Sequence, residues 1–149
     1  LAKANKKTIA VDPKEEHFHY YRNVTAITPN HHEAAQAAGI KVRDKDSLIK
    51  AGKTLLNRLK CEAVLVTLGE NGMQLFERSG NITHIPTVAQ DVFDVSGAGD
   101  TVIGTFTLAL AAGADMIEAA RISNFAAGIV VGKVGIAVVT QEELLARVG

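Results

Sequence analysis

The chain has 149 residues, of which 47% are apolar, so it can bury the core of about one domain. Sixteen lysine and arginine residues balance 16 aspartate and glutamate residues, and no basic block is interleaved with aromatic residues, which argues against nucleic acid as a partner. The longest apolar stretches end well short of the ~20 residues that span a bilayer. The single cysteine, Cys61, excludes a disulfide framework within these residues and indicates a packed thiol in a reducing compartment.

The first residues, LAKANKK, contain neither an initiator methionine nor the apolar core of a signal peptide. They have the composition of the last turn of a helix. The sequence therefore predicts that the chain starts inside a longer fold.

Strand and helix patterns alternate along the rest of the chain. β-branched runs that stop at proline turns predict the first two strands, and a continuously apolar run of the parallel-sheet type predicts the third. Turn signals between the last two strands predict an antiparallel hairpin edge. The predicted strands are 8–12, 24–28, 63–68, 73–77 and 82–86, and the predicted helices are 30–38, 46–59, 100–112, 116–131 and one behind Thr140. This order predicts one α/β domain that binds ligands at the carboxyl ends of its strands.

A turn of small residues followed by a carboxylate stands directly before an apolar helical segment. Gly97, Ala98 and Gly99 carry almost no side chain, so their backbone N–H groups can approach an anion at the helix N-terminus. Asp100 would lie beside that anion, where a carboxylate can take a proton from a hydroxyl group that attacks a phosphate. The pattern predicts a phosphoryl-transfer site with Asp100 as the base. The structural alternative is a glycine turn in which Asp100 caps the next helix.

Three other segments have both a structural and a functional interpretation. Asn30, three residues before Glu33, has the pattern of a capping box, and a helix that starts at the end of a strand also faces the ligand crevice. Asn71-Gly72 between two apolar strands has the pattern of a type I′ hairpin turn. Lys14 follows a strand and a proline, so it is either a solvated lysine or a positive charge beside a transferring phosphate.

The strings VDPKEEHFHYYRNVTAITPNHHEA and DVFDVSGAGDT resemble the PfkB family of ribokinase-like sugar kinases. The first string is most similar to the heptose 7-phosphate kinases of that family. The resemblance implies a three-layer α/β/α fold with a mostly parallel sheet and an antiparallel hairpin edge. It also implies that residues 1–149 are the carboxyl-terminal, nucleotide-binding half of a kinase domain, without the amino-terminal half that contacts the sugar.

The same resemblance implies roles for particular residues. The family's base is the last residue of GAGD, here Asp100, and its anion hole is the backbone of residues 97–100. Glu33 would orient magnesium-bound water, and Asn30 would lie near the phosphates of ATP. The remaining nucleotide-binding positions implied by the family are Thr67, Gly69 and Gly72 in the turn after a strand, and Asn124, Ala127 and Gly128 on the helix beside the adenine.

The family often holds a potassium ion between the segment before GAGD and a closing glycine turn. The resemblance would place five backbone carbonyls around such an ion, those of Asp94, Ser96, Val130, Lys133 and Gly135. Carbonyl ligands leave no sequence pattern of their own. The five histidines, by contrast, have no third ligand at metal-binding spacing and are interpreted as surface residues.

The sequence thus predicts a cytoplasmic, ATP-dependent sugar kinase that uses magnesium and, by resemblance, potassium. Its favoured acceptor is D-glycero-D-manno-heptose 7-phosphate, converted to the 1,7-bisphosphate, with ribose and fructose phosphate as alternatives. A second hypothesis is a nucleotide-binding fragment that keeps the phosphate site but transfers nothing by itself. No nucleic acid or membrane partner is expected, and the resemblance is compatible with a homo-oligomer of the complete protein.

Overall fold

Strands and helices alternate along the chain, in the order that the sequence predicts. The computed structural model describes residues 1–89 and 92–148. The elements are β1 (Ala10–Val11), β2 (Ala26–Ile27), α1 (His31–Ala38), α2 (Lys45–Leu59), β3 (Ala63–Thr67), β4 (Met73–Glu77), β5 (Ile82–Ile85), α3 (Ala98–Ala111), α4 (Met116–Val131) and α5 (Gln141–Val148). Short 3-10 turns lie at Lys3–Asn5, Glu15–Tyr20 and Gly69–Asn71.

The strands form one mixed sheet in the order β1-β2-β3-β4-β5. β1, β2 and β3 run parallel, and β4 and β5 continue the sheet as an antiparallel hairpin. The first two strands are shorter than predicted, although the ladder continues past their ends: the Thr28 N–H donates to the Val11 carbonyl at 3.0 Å. Because β1, β2 and β3 are parallel, their carboxyl ends meet at one edge of the sheet.

Helices cover both faces of this sheet, so the three-layer α/β/α prediction is confirmed. Successive residues of a strand point to opposite faces. Val64 and Val66 of β3 pack in one buried cluster with α1 and α2, whereas Ala63 and Leu65 pack in a second cluster with α3 and α4. A strand buried on both sides has to be apolar throughout, which explains the continuous pattern of β3. None of the described helices combines the length and the apolarity that crossing a membrane requires.

Capping boxes begin α1, α2, α4 and α5. In each box, one side chain accepts a hydrogen bond from the backbone N–H three residues on, and the side chain at that position accepts one in return. The pairs are Asn30 with Glu33, Asp44 with Ser47, Asp115 with Glu118, and Thr140 with Glu143. The first, third and fourth pairs confirm the sequence prediction, and the second starts α2 one residue earlier than predicted. α3 begins without such a box, at Gly97.

The connection between β3 and β4 differs from the type I′ turn that Asn71-Gly72 suggests. Residues 68–72 separate the strands, and Gly69–Asn71 forms a 3-10 turn. A type I′ turn needs positive φ at both central residues, but of this pair only Gly72 has it, at 79°. A Cβ at Gly72 would lie 2.1 Å from the Ile85 carbonyl oxygen, so the chain after β5 leaves room only for glycine.

Cys61 lies between α2 and β3 and is fully buried in the cluster that α1 and α2 form on the sheet. Burial raises the pKa of its thiol to about 11. The thiol is therefore protonated at neutral pH and has little nucleophilic character. This confirms the packed thiol that the sequence predicts.

Gly52 of α2 faces the ring of Phe76, and a Cβ there would lie 2.4 Å from the ring. We expect Gly52→Ala to lower the free energy of unfolding by about 1–3 kcal/mol, because overpacking outweighs the gain in helix propensity. Gly104 of α3 is the matched control, since a Cβ there meets nothing within 4 Å. Gly104→Ala should raise the free energy of unfolding by up to ~1 kcal/mol. Urea denaturation measures both, and equal effects would contradict the packing argument.

Candidate active site

A cavity of about 470 Å³ opens at the carboxyl edge of the sheet. The turn after β3, the chain after β5, the start of α3 and the middle of α4 form its walls. Most of the residues that the sequence predicts for nucleotide binding and for the anion hole line it together: Thr67, Gly69, Gly72, Ala98, Gly99, Asn124, Ala127 and Gly128. These residues come from three separate parts of the chain, and small side chains predominate among them.

The first turn of α3 presents free backbone amides. Gly97 is the N-cap residue in the left-handed conformation, and no side chain caps the helix in the described part of the chain. The Ala98 N–H donates to the Val95 carbonyl at 3.2 Å, and the Thr101 N–H donates to the Gly97 carbonyl at 2.9 Å. The N–H groups of Gly99 and Asp100 lie between these two and have no acceptor within the helix. The Gly99 and Asp100 amides are therefore free to meet an anion. Both belong to the backbone of residues 97–100 that the resemblance implies as the anion hole, and anion binding there stays a prediction.

Asp100 is the third residue of α3 and does not cap the helix, so the structural alternative for this residue is wrong. Its side chain is exposed and lines a second concavity, a shallow groove of about 520 Å³. Ala10 of β1 and Ile103 and Gly104 of α3 line the same groove. Gly99 lines the first cavity, so consecutive residues of one helical turn face two different concavities. Asp100 thus lies between the two concavities, where a molecule bound in the cavity would be close to a molecule bound in the groove.

Asn30 and Glu33 form the capping box of α1. The Asn30 Oδ1 accepts from the Glu33 N–H at 3.0 Å, and the Glu33 Oε2 accepts from the Asn30 N–H at 2.8 Å. Pro29 connects this helix start to the cavity, because its carbonyl accepts from the N–H of Thr67 at 3.0 Å. The structural interpretation of the two residues is therefore correct, and it leaves them beside the strand end that lines the cavity.

Glu33 offers a magnesium ion a single carboxylate. Among the described residues, no group of three His, Cys, Asp or Glu side chains is placed to hold a metal. Magnesium usually keeps several waters and binds one or two carboxylates together with the phosphates of a substrate. One carboxylate beside the candidate cavity fits that mode of binding, whereas a metal centre built by protein side chains alone does not.

Lys14 lies outside the cavity lining. Its side chain is 74% exposed, and its Nζ is 3.4 Å from the Asp12 Oδ2. An exposed ion pair of this length contributes little to stability. The structure places the lysine just beyond the carboxyl end of β1, and a role toward phosphate stays a prediction.

The five residues predicted around potassium lie in two neighbouring segments that hydrogen bonds join. The Asp94 Oδ1 accepts from the Ser96 N–H at 2.8 Å. The Ser96 backbone first, then the Ser96 side chain and the Gly135 backbone, hydrogen-bond this carboxylate and lower the pKa of Asp94. The Phe93 N–H donates to the Val131 carbonyl at 2.8 Å. The contacts bring two oxygen-rich segments together, and oxygen ligands suit hard cations.

The side chain of Lys133 has polar partners of its own. Its Nζ donates to the Val138 carbonyl at 2.8 Å and forms an ion pair with the Glu143 Oε1 at 2.6 Å. The Val130 carbonyl already accepts from two backbone N–H groups, that of Gly132 and, at 3.0 Å, that of Lys133. The Lys133 ammonium group is thus held by α5 and by the loop before it.

Sequence reasoning missed one wall of the cavity, the chain after β5. Thr87, Ala89, Val92 and Val95 all line the cavity. Val92 is 58% exposed and Val95 is 69% exposed, so they are apolar side chains that the core does not bury. The available signal in the sequence was that Val92 and Val95 fall between a predicted strand and a predicted helix, where an apolar side chain has no core position to fill. Such a wall suits a flat apolar ring of a ligand.

Two contacts from α4 hold this wall in place. The Asn124 Nδ2 donates to the Pro86 carbonyl at 2.7 Å, and Asn124 is 5% exposed. Gly128 packs so closely that a Cβ there would lie 3.0 Å from the Val88 Cγ2. α4 therefore fixes the position of the chain after β5 in addition to lining the cavity itself.

The fold is that of known sugar kinases. The chain superposes on a ribokinase from Arabidopsis thaliana complexed with ribose and ATP with a TM-score of 0.84 at 22% identity, over 97% of this chain and 48% of that one. For phosphofructokinase-2 from Escherichia coli in complex with potassium, the TM-score is 0.88 at 22% identity, over 98% and 48%. For a ribokinase from Thermotoga maritima, it is 0.81 at 28% identity, over 99% and 50%. The architecture and the cavity at the carboxyl edge thus define the ribokinase-like class.

The family is also clear from the sequence itself. Residues 1–143 match the pfkB family carbohydrate kinases, and the chain belongs to this family. The bifunctional protein HldE of Geobacter sulfurreducens is 45% identical over 149 residues, which are 100% of this chain and 30% of that protein. HldE of Citrifermentans bemidjiense is 49% identical over 141 residues, 95% of this chain and 29% of that protein. The chain spans about 30% of the length of these curated relatives.

The Asn124 hydrogen bond provides a test of the cavity wall. Asn124→Ala leaves the Pro86 carbonyl without its donor, so we expect the free energy of unfolding to fall by about 1–3 kcal/mol. Ser123→Ala is the matched control, because the Ser123 hydroxyl is equally buried but donates only to the Ala120 carbonyl of its own helix. That change should stay within about 1 kcal/mol. Urea denaturation would contradict the assignment if the two variants lost the same stability.

Proposed function

We propose that the complete protein is an ATP-dependent sugar kinase in which residues 1–149 supply the nucleotide-binding and catalytic-base half. The observation that carries this proposal is the first turn of α3. This turn has free Gly99 and Asp100 amides, and Gly99 lines the cavity on one side of it. The Asp100 carboxylate faces the groove on the other side. Phosphoryl transfer needs a donor and an acceptor hydroxyl held next to each other, and two adjoining concavities can hold them in that way.

The cavity supports a nucleotide as the donor. Apolar residues such as Val92, Val102 and Ala127 line it, and the few polar groups, among them Thr67 and Asn124, lie at its walls. A mostly apolar pocket with a few placed polar groups suits a base and ribose. The start of α3 supports the phosphate end, because its free amides and the helix dipole both favour an anion.

Asp100 is proposed as the base. In the reaction, the acceptor hydroxyl gives its proton to the Asp100 carboxylate while its oxygen forms a bond to the γ-phosphorus, and the bond between that phosphorus and the ADP oxygen breaks. The Gly99 and Asp100 amides stabilise the charge that spreads over the transferring phosphoryl oxygens. Bound magnesium would neutralise phosphate charge, with Glu33 orienting its water. The protein contributes mainly by positioning these groups.

The proposed acceptor is D-glycero-D-manno-heptose 7-phosphate, phosphorylated to the 1,7-bisphosphate. Its support is the 45–49% identity to proteins named HldE and the resemblance of residues 11–34 to heptose 7-phosphate kinases. We further propose potassium between the segments at Asp94 and Gly135, a cytoplasmic location where ATP is supplied, and a homo-oligomer for the complete protein. The hydrogen-bonded pairing of the two segments supports the potassium site.

Asp100→Asn separates proton removal from binding. We expect the turnover of the complete protein to fall by at least ~100-fold, because the amide keeps the shape of the side chain but does not accept the proton. The affinity for ATP should barely change. Steady-state kinetics and isothermal titration calorimetry measure the two quantities, and loss of ATP binding together with activity would show that Asp100 has a structural role.

A second candidate function is nucleotide binding without transfer by the 149-residue chain itself. It is favoured by the groove beside Asp100, which is shallow and which, among the described residues, is formed by β1 and α3 alone. We expect the chain to bind ATP or ADP weakly and to release no ADP when heptose 7-phosphate is added. Without a positioned hydroxyl, some 7–11 kcal/mol of rate advantage is lost. A coupled assay with ATP, magnesium, potassium and the sugar phosphate decides: rapid turnover would place the acceptor site within these residues.

A further inference from the structure

Thr28 carries a buried hydroxyl group that no part of the proposed mechanism has used. The residue is 5% exposed and follows β2 directly. Its Oγ1 is inaccessible and has no hydrogen-bond partner among the described residues. A buried hydroxyl without a partner is unfavourable, and valine, which has the same shape, would avoid that cost.

Strand geometry places this hydroxyl on the face of the sheet that α3 and α4 cover. Ala26, two residues earlier on the same strand, belongs to the buried cluster of α3 and α4. Residues two apart on a strand share a face. The backbone of Thr28 continues the ladder, because its N–H donates to the Val11 carbonyl. Thr28 therefore points to the same side as the first turn of α3.

The neighbouring strands locate Thr28 between the two concavities. β1 lies on one side, and its Ala10 lines the groove together with Asp100. β3 lies on the other side, and its Thr67 lines the cavity together with Gly99. β2 runs between these strands. Ala26 pairs with Ala10 of β1 and with Ala63 of β3, so Thr28 is level with Asp12 and Leu65. Thr28 therefore lies one pair of residues below Thr67, under the linings of the two concavities rather than in either of them.

The hydrogen-bond acceptor that suits the Thr28 hydroxyl is an anionic oxygen. The carboxylates of Asp12 and Asp100 lie at the same edge of the sheet, but neither accepts a hydrogen bond from Thr28. The start of α3, a helix of 14 residues with free first-turn amides, is a second and independent feature that favours an anion here. The hydrogen of a threonine hydroxyl turns about the Cβ–Oγ1 bond, so it can point to any acceptor that comes within hydrogen-bond distance.

On these grounds we propose that Thr28 is a phosphate-binding residue, whose Oγ1 donates a hydrogen bond to an oxygen of the phosphoryl group held between the cavity and the groove. The proposal rests on the kinase function proposed above. It adds a third donor to the two amides of α3, and it explains why a buried position in a strand end carries a hydroxyl that the free protein leaves unpaired.

The test compares Thr28→Val and Thr28→Ser in the complete protein. A hydrogen bond to a charged group is strong, so Thr28→Val should weaken ATP binding by roughly 10- to 100-fold, whereas Thr28→Ser should keep most of the affinity. Adenosine, which has no phosphate, should bind both variants and the unaltered protein equally. The unfolding free energy of Thr28→Val without nucleotide should be unchanged or higher, since no bond is lost in the free protein.

Thr25→Val is the matched control at the other end of the same strand. The Thr25 Oγ1 accepts from the Ile9 N–H at 3.0 Å, so this variant should lose stability and keep its affinity for ATP. A Thr28→Val variant that behaves like Thr25→Val would overturn the proposal and show a structural role. Equal weakening of ATP and adenosine would overturn it as well. Failure of the unaltered protein to bind ATP would refute the kinase proposal itself, which is a different result.

Discussion

The left-handed conformation of Gly97 determines where α3 begins, and the candidate site depends on that starting point. With a φ of 77°, Gly97 turns the chain directly into the helix. A residue with a side chain is strained in this region of φ. A helix that began later, at Asp100 as the sequence suggests, would leave different amides free. The early start puts Gly99 at the cavity and Asp100 at the groove within one helical turn.

The helices could be predicted well because their signals are local. The pairs Asn30 with Glu33 and Asp115 with Glu118 lie within one turn, so both partners of each hydrogen bond are visible in the sequence. The signal that ends α1 is local as well, since the left-handed residue Gly39 ends the helix. Strand bounds are less local, because they depend on hydrogen bonds to residues of another strand. β1 and β2 are shorter than their β-branched runs, although single hydrogen bonds such as that from the Thr28 N–H to the Val11 carbonyl continue past their ends.

The cavity was predictable in part for a similar reason. Parallel strands end at one edge, so residues after β3 and at the start of α3 had to approach each other. The dipeptide Asn71-Gly72 by itself indicates a type I′ turn. That prediction is wrong, because the conformation of the turn depends on the chain after β5. That chain also forms the missed wall. Its position is set by Asn124, which is 38 residues beyond the carbonyl that it binds, and no local pattern reveals such a contact.

The buried thiol gives this protein a chemical reporter of its own opening. Cys61 is the single cysteine in the sequence and lies in the cluster on the face of α1 and α2, away from the cavity. A reagent reaches it only when that cluster opens. A nucleotide that bound in the cavity, on the face of α3 and α4, would slow the reaction only if both faces of the sheet open together. The rate of thiol modification therefore distinguishes a domain that unfolds as one cooperative unit from one whose two layers separate independently.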